Sequence, residues 1–268
     1  MPKKLKLISL NIEKHHHLPI VLDFIKKEKP DIICLQEIYI ETFESFKKEL
    51  EMNGVFCHQV MYQTEDGISH SEGLAILTPL SINSSQAIPY TTNDENESKE
   101  ISTKNLPEKN QDKNYINKQH HRKLLVAEIS NEDQKFNIST THFTWAFYGH
   151  FDKEKKEFVW DTDENTVEEQ LKDMRKIFDI FDTFTDIVFC ADLNAPRGKK
   201  VFDMVANKLK DNIPLEYKTS IDENLHRLGA PLPLMVDGVF TTQEYKVTNV
   251  ILKSGISDHL AVICEISK

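Results

Sequence analysis

The chain alternates short apolar runs with amphipathic stretches for most of its length, and this alternation constrains the fold more than any other feature. KLKLISLNI (4–12) reads as a strand, and IICLQE closes a second, more continuous one at Glu37. Between them Ile20, Val21, Phe24 and Ile25 recur at helical spacing until Pro30 stops the helix. A second helix, from Glu41 to Met52, sets Phe43, Phe46 and Leu50 on one face. Further strands are predicted at 73–78, 123–130, 136–143, 187–192, 235–242, 248–253 and 259–266. A long helix fits Val167, Leu171, Met174, Phe178 and Phe181, and a shorter one fits 201–209. About nine strands with about four helices exclude an all-α fold and imply helices layered on sheets.

Composition narrows the class. Eight Gly and 10 Pro are too few for a collagen-like or linker-dominated chain, and no apolar run approaches the roughly 20 residues of a membrane helix. Forty-three acidic against 33 basic residues leave a net charge of −10, the wrong sign for a protein that coats nucleic acid by charge alone. The start, MPKKLKLISLNI, is basic and then apolar but has no small-residue cleavage site, so it does not read as a signal peptide. Of Cys34, Cys57, Cys190 and Cys264, none forms a CxxC pair and three lie inside apolar runs. They are expected to be buried free thiols of a cytoplasmic protein. The polar, Asn- and Lys-rich stretch at about 91–118 is expected to be a mobile loop inside one domain spanning 1–268, because strands resume directly after it.

The chemistry is announced by where polar residues fall relative to the apolar runs. Asn11 and Glu37 end the first two strands, Asp192 and Asn194 close IVFCADLN, and Asp258 and His259 open the last strand after GIS. Any one of these is ordinarily a cap or turn residue. Six such placements instead point to convergence at one rim of a sheet, where rigid elements hold the groups and solvent reaches them. Carboxylate and amide oxygens without thiolates favour a hard cation, Mg²⁺ or Mn²⁺, over zinc. His142 and His259, each beside a strand, supply groups for acid–base work or for stabilising charge.

The ordered set SLNI, LQE, EGLAIL, THFTW, ADLNAPRG, MVDGVF and SDH, running from Ser9 to His259, resembles the endonuclease/exonuclease/phosphatase superfamily. The resemblance implies an α+β, deoxyribonuclease-I-like fold: a four-layer α/β/β/α sandwich of two packed mixed β-sheets, with the active site at one rim. It also implies metal-dependent hydrolysis of phosphate esters. By that likeness Glu37 is the main metal ligand, with Asn11 and Asp258 near the same ion or a second one. Asp192 orients or deprotonates the attacking water, and Asn194 holds the nucleophile or the scissile phosphate. His259, oriented by Asp237, bonds a phosphoryl oxygen or transfers a proton. His142 stabilises charge on the phosphoryl oxygens, and Glu72 orients it. The chain departs from the usual pattern in having Ala191 before the catalytic Asp and Gly238 where an aromatic residue often stands. It also lacks the Trp-containing signature of the abasic-site endonucleases.

Substrate choice lives in loops. After His142 the chain carries Trp145, Phe147, Tyr148, Phe151 and Trp160, either an aromatic wall for stacking a base or tyrosyl group or a satellite core under a long loop. Lys153, Lys155 and Lys156 read as phosphate contacts or a solvated charge run, and His15, His16 and His17 as rim residues pointing in different directions. Arg122 is expected to bind substrate phosphate or to make a surface salt bridge, and Arg197 to face phosphate or begin a helix. The expected partner is a phosphate-ester substrate, DNA or RNA, bound by a monomer with no membrane involved. The alternatives are a phosphomonoesterase for a nucleotide or inositol phosphate, and an inactive binding module, whose mark would be loss of Glu37, Asp192 or His259.

Overall fold

The computed structural model describes residues 4–64, 66–91, 101–102, 120–145, 147–152, 154–155, 157–162 and 164–268; for 102, 147–151, 157–158 and 160–162 it describes the backbone. Apart from Thr91, Ile101 and Ser102, the polar 91–118 stretch therefore lies outside the described residues. So do Lys153, Lys156 and the side chains of Phe147, Tyr148, Phe151 and Trp160.

The first half of the chain runs β1 (Leu5–Asn11), α1 (Leu18–Glu28), β2 (Ile32–Tyr39), α2 (Ile40–Leu50), β3 (Asn53–Gln63), β4 (Ser69–Thr78), β5 (Ser81–Pro89) and β6 (Ile101–Ser102). Then follow β7 (Lys123–Asn131), β8 (Gln134–His142), β9 (Phe147–Asp152), β10 (Glu157–Thr162), α3 (Glu164–Phe181), β11 (Val188–Asp192) and α4 (Lys200–Lys208). β12 (Lys210–Asp211), β13 (Asp237–Thr241), β14 (Lys246–Lys253) and β15 (Ala261–Ser267) complete it. One sheet has the order β14-β15-β1-β2-β4-β3-β6 and the other β12-β13-β11-β8-β7-β5, while β9 and β10 form a separate hairpin. Both large sheets are mixed. Each has a parallel pair near its centre, β1 with β2 and β8 with β11, and antiparallel neighbours on either side.

Alternation within the strands explains the layers. In β1, Leu5 and Leu7 enter the core shared by the two sheets, while Ile8 and Leu10, on the opposite face, join a second core beneath α1 and α2. α1 contributes Val21, Phe24 and Ile25 to that second core, and α2 contributes Phe43 and Phe46. On the far side, α3 and α4 cover the second sheet with Val167, Met174, Ile177, Val201, Phe202 and Val205. The result is the predicted four-layer sandwich. Gln36 and Thr140 hydrogen-bond across the two sheets at 2.8 Å, fully buried. No helix among the described residues is long and apolar enough to cross a membrane, and all four Cys are free and buried.

The parallel pairs position the site. Parallel strands end on the same edge, so β1 and β2 bring Asn11 and Glu37 to one rim, and β8 and β11 bring His142 and Asp192 to the facing rim.

Candidate active site

Asp192 is flanked in register by His142 on β8 and by Asp237 on β13, so three titratable side chains form one row across three strands. His259 leans on that row through Nδ1, 2.7 Å from Asp237 Oδ2, with its Nε2 3.8 Å from Asp192 Oδ2. Across the gap between the sheets, the Asn11 amide donates to Glu37 Oε1 and to Asp192 Oδ2, both at 3.1 Å. His142 Nε2 faces the same two carboxylates, at 3.8 Å from Glu37 and 3.5 Å from Asp192.

Two of these positions hold strained backbone. A regular β2 would turn Glu37 away from the face that carries Cys34 and Gln36. Instead the pairing with β4 shifts between Leu35 and Ile38, and Glu37 adopts φ 53°, which returns its carboxylate to Asn11. Asn194 adopts φ 47°, with its N–H on Asp192 Oδ1 at 2.9 Å and its side-chain amide on the Phe143 carbonyl at 3.0 Å. Left-handed backbone at a non-glycine residue costs about 1–3 kcal/mol and persists where the surroundings over-determine it, as they do here.

Electrostatics divide the groups. Burial, and then Asp237, push the Asp192 carboxyl up to about 7, against the pull of His259. For His259 burial opposes protonation, yet Asp237 and Asp192 raise it well above the ordinary imidazole value. His142 goes the other way: burial and the nearby Arg122 hold it well below that value, so it is neutral rather than the imidazolium expected of a His beside acids. Burial also opposes ionisation of Glu37, but the Lys14 ammonium and the Asn11 amide keep its carboxyl below the usual range.

The other expected residues are scattered. Glu72 is 1% exposed and meets Lys14 and His120 rather than His142, whose buried Nδ1 has no hydrogen-bond partner. Burial raises the Glu72 carboxyl to about 7. Arg122 is neither a surface salt bridge nor open to solvent; buried, it donates to the His142 carbonyl at 3.0 Å and so braces the strand end. Arg197 has its guanidinium engaged by Asp211 at 2.7 Å and the Ile213 carbonyl at 2.9 Å, over the ring of Phe202. The Asp258 carboxylate takes a hydrogen bond from Ser257, and its charge reaches Glu13 and His259. Trp145 packs partly buried against the core with the Arg227 guanidinium 5.8 Å from its ring centre. His15 stacks on His16 and Tyr39, and His17 pairs with Glu13. Gly238 has a local explanation: a Cβ there would lie 2.0 Å from the Phe240 ring, which fills the space an aromatic at 238 would need.

Lys14 is the residue that sequence reasoning missed. Its ammonium contacts Glu37 Oε2 and lies 3.6 Å from Glu72 Oε2. Its only signal in the sequence is a position three residues beyond Asn11, among four charged or titratable neighbours.

The donor set fits a hard cation. Glu37 and Asp192 bring carboxylates together through one amide, and Asp192 and Asp237 offer oxygens within 4.8 Å of one another, beside His259, which is held protonated and so offers a proton rather than a lone pair. As placed, Asn11 presents its NH₂ group to the acids, while its oxygen accepts from the Glu13 N–H at 3.1 Å.

No protein-family model and no curated protein sequence matches the chain. Solved structures do. An endonuclease/exonuclease/phosphatase from Beutenbergia cavernae aligns over 99% of this chain and 72% of its own, with TM-score 0.69 and 16% identity. D. rerio TDP2 complexed with a single-strand DNA product aligns over 99% of this chain and 100% of its own, with TM-score 0.64 and 16% identity. The mannosyl-6-phosphatase Bt3783 of Bacteroides thetaiotaomicron aligns over 98% and 100%, with TM-score 0.60 and 15% identity. With its two mixed sheets between paired helices, the chain has the deoxyribonuclease-I-like fold of the endonuclease/exonuclease/phosphatase proteins.

Proposed function

We propose that the protein hydrolyses phosphate esters with the help of Mg²⁺ or Mn²⁺, and that its substrate is a phosphodiester of DNA or RNA, cut internally or at an end. The observation that carries this reading is the row of His142, Asp192 and Asp237, with His259 on Asp237, set opposite Asn11 and Glu37. In-line attack on phosphorus needs a base for water and positive or donor groups for the oxygens that gain charge.

Asp192, with its carboxyl near 7, is poised to take a proton from water at neutral pH. Asn194 fixes that carboxylate through its backbone N–H. His259, kept protonated by two acids, offers its Nε2–H to a phosphoryl oxygen, and neutral His142 offers a second donor. Glu37 would hold the cation, with Asn11 beside it and Asp258 a third candidate on the same edge; when bound, the ion supplies charge to the phosphoryl and leaving oxygens.

A second reading, a phosphomonoesterase acting on a nucleotide or inositol phosphate, is favoured by one observation. A net charge of −10 works against broad attraction to a polyanion. A panel of linear and circular DNA, RNA, a 5′-tyrosyl oligonucleotide and small phosphates, assayed with Mg²⁺ and after exhaustive chelation, tests both. Turnover of a polynucleotide that stops on chelation is expected. Turnover of small phosphates alone would favour the second reading, and activity indifferent to chelation would remove the metal.

A further inference from the structure

Lys14 is built into the rim by its backbone as well as by its charge. Glu13 and Lys14 are consecutive residues in left-handed conformation, φ 49° and 63°, an arrangement that costs about 1–3 kcal/mol at each and needs strong compensation. The compensation is visible. The Asn11 side-chain oxygen accepts from the Glu13 N–H, and the Lys14 N–H donates to the Glu37 carbonyl at 2.9 Å. The Asn11 amide closes on Glu37 Oε1 at 3.1 Å, and the Lys14 ammonium on Glu37 Oε2. A closed ring of bonds thus joins Asn11, Glu13, Lys14 and Glu37. From it the lysine reaches Glu72 at 3.6 Å and lies 5.0 Å over the ring of Tyr62.

Each oxygen of Glu37 consequently has its own neighbour: Oε1 faces Asn11 and His142, and Oε2 faces the ammonium. A carboxylate with one oxygen on a fixed cation has less negative potential left for a second cation. We propose that Lys14 is an internal counter-ion that competes with the divalent ion for Glu37, so that ion binding displaces its ammonium toward Glu72 and Tyr62. This rests on the reading that Glu37 takes the ion. In this arrangement the strained turn keeps the acidic rim folded across a range of metal supply, and it sets metal affinity lower than the carboxylates alone would.

Calorimetric titration of Mg²⁺ into the wild type, Lys14→Met and Lys14→Arg, with melting of all three in EDTA, tests it. Removing one charge a few ångströms from a divalent ion, with screening close to that of water, is expected to tighten Mg²⁺ binding about ten- to a hundredfold in Lys14→Met. The same variant should melt several degrees lower in EDTA, and Lys14→Arg should stay near the wild type in both. Equal Mg²⁺ affinity in wild type and Lys14→Met overturns the competition and leaves the metal at Glu37 standing. No Mg²⁺ binding to either protein overturns the metal site itself and the competition with it. Should Lys14→Met fail to fold, the wild type decides. Acylation of Lys14, followed by mass spectrometry, should be faster in saturating Mg²⁺ than in EDTA, and an unchanged rate overturns the proposal.

Discussion

The two ends of β11 each carry a buried aspartate, and they are opposites. Asp186, just before the strand, accepts from the Tyr245 hydroxyl at 2.5 Å and from Thr185 at 3.1 Å, and pairs with Lys268 at 2.8 Å. The Asn137 N–H in turn donates to the Tyr245 oxygen, and Lys268 lies over the rings of Phe136 and Tyr245. Asp192, at the other end, lies among Asp237 and, across Asn11, Glu37. Around that rim, buried Gln36 Oε1, Glu72 Oε2 and His142 Nδ1 have no hydrogen-bond partner. Burial opposes ionisation at both aspartates, yet Lys268 and Tyr245 keep Asp186 below the usual range while Asp192 rises to about 7. Burial alone thus does not mark a functional acid. What separates the two is whether cations and donors outweigh the burial and the acids around each, and a shift like that of Asp192 marks a candidate for chemistry.

The largest effect should come from neutralising each acid in turn. Asp192→Asn is expected to lower turnover on the best substrate by about 10² or more, with melting unchanged or raised, because it removes one charge from a crowded cluster. Asp186→Asn should keep its turnover. If both variants melt early and both turn over normally, the two ends are alike and the active-site assignment is wrong. Next, His259→Ala should cost a similar factor of about 10², and the double variant with Asp192→Asn less than the product, since groups acting on one transition state are not independent. Multiplicative losses in steady-state kinetics would show that the two act separately.

A smaller effect belongs to the far end: urea denaturation should find Asp186→Asn less stable by about 1–3 kcal/mol, the range for disturbing a buried hydrogen-bonded group. The smallest is a difference in pH slope. Glu72 has its carboxyl raised from 4.5 to about 7 on folding, so its contribution to stability is complete below pH 4.5 and disappears as pH rises through about 7. Asp186 is shifted down, so its contribution is complete above 3.8 and disappears as pH falls further. Denaturation curves in chelator should therefore show Glu72→Gln flattening the decline toward neutral pH, and Asp186→Asn flattening the decline in acid.

The central strands β1, β2, β8, β11 and β15 were legible in sequence, because strands buried on both faces leave dense apolar runs. β5 was not, since as the edge of its sheet it reads SINSSQAIP and is mostly exposed. β3 escaped because its buried positions include Gln59 and its half-buried ones His58 and Gln63, which break the alternation. At the rim, Asn11, Glu37, His142, Asp192 and His259 could be named because each sits near the end of such a strand, whereas Asp237 came from the likeness of MVDGVF to the superfamily pattern. Their state could not. The neutrality of His142 depends on its burial and on Arg122, just before β7, and the partner of Glu72 on a backbone turn at Glu13 that no residue type announces. The partner of Arg197 was hidden for a similar reason: its acid, Asp211, lies beyond α4.

The hydrogen bond between Asn11 and Asp192 joins positions 181 residues apart, and β1 completes its pairing only with β15, where Leu5 lies opposite Ile266. Contacts of such long range make for slow folding, because the entropy of closing large loops is lost before the contacts repay it. Most of the helices and hairpins can form early, whereas the rim requires both halves and the final strand. In a refolding experiment, recovery of activity should therefore lag behind recovery of helical signal, and a growing chain on the ribosome would be chemically silent until β15 had docked on β1.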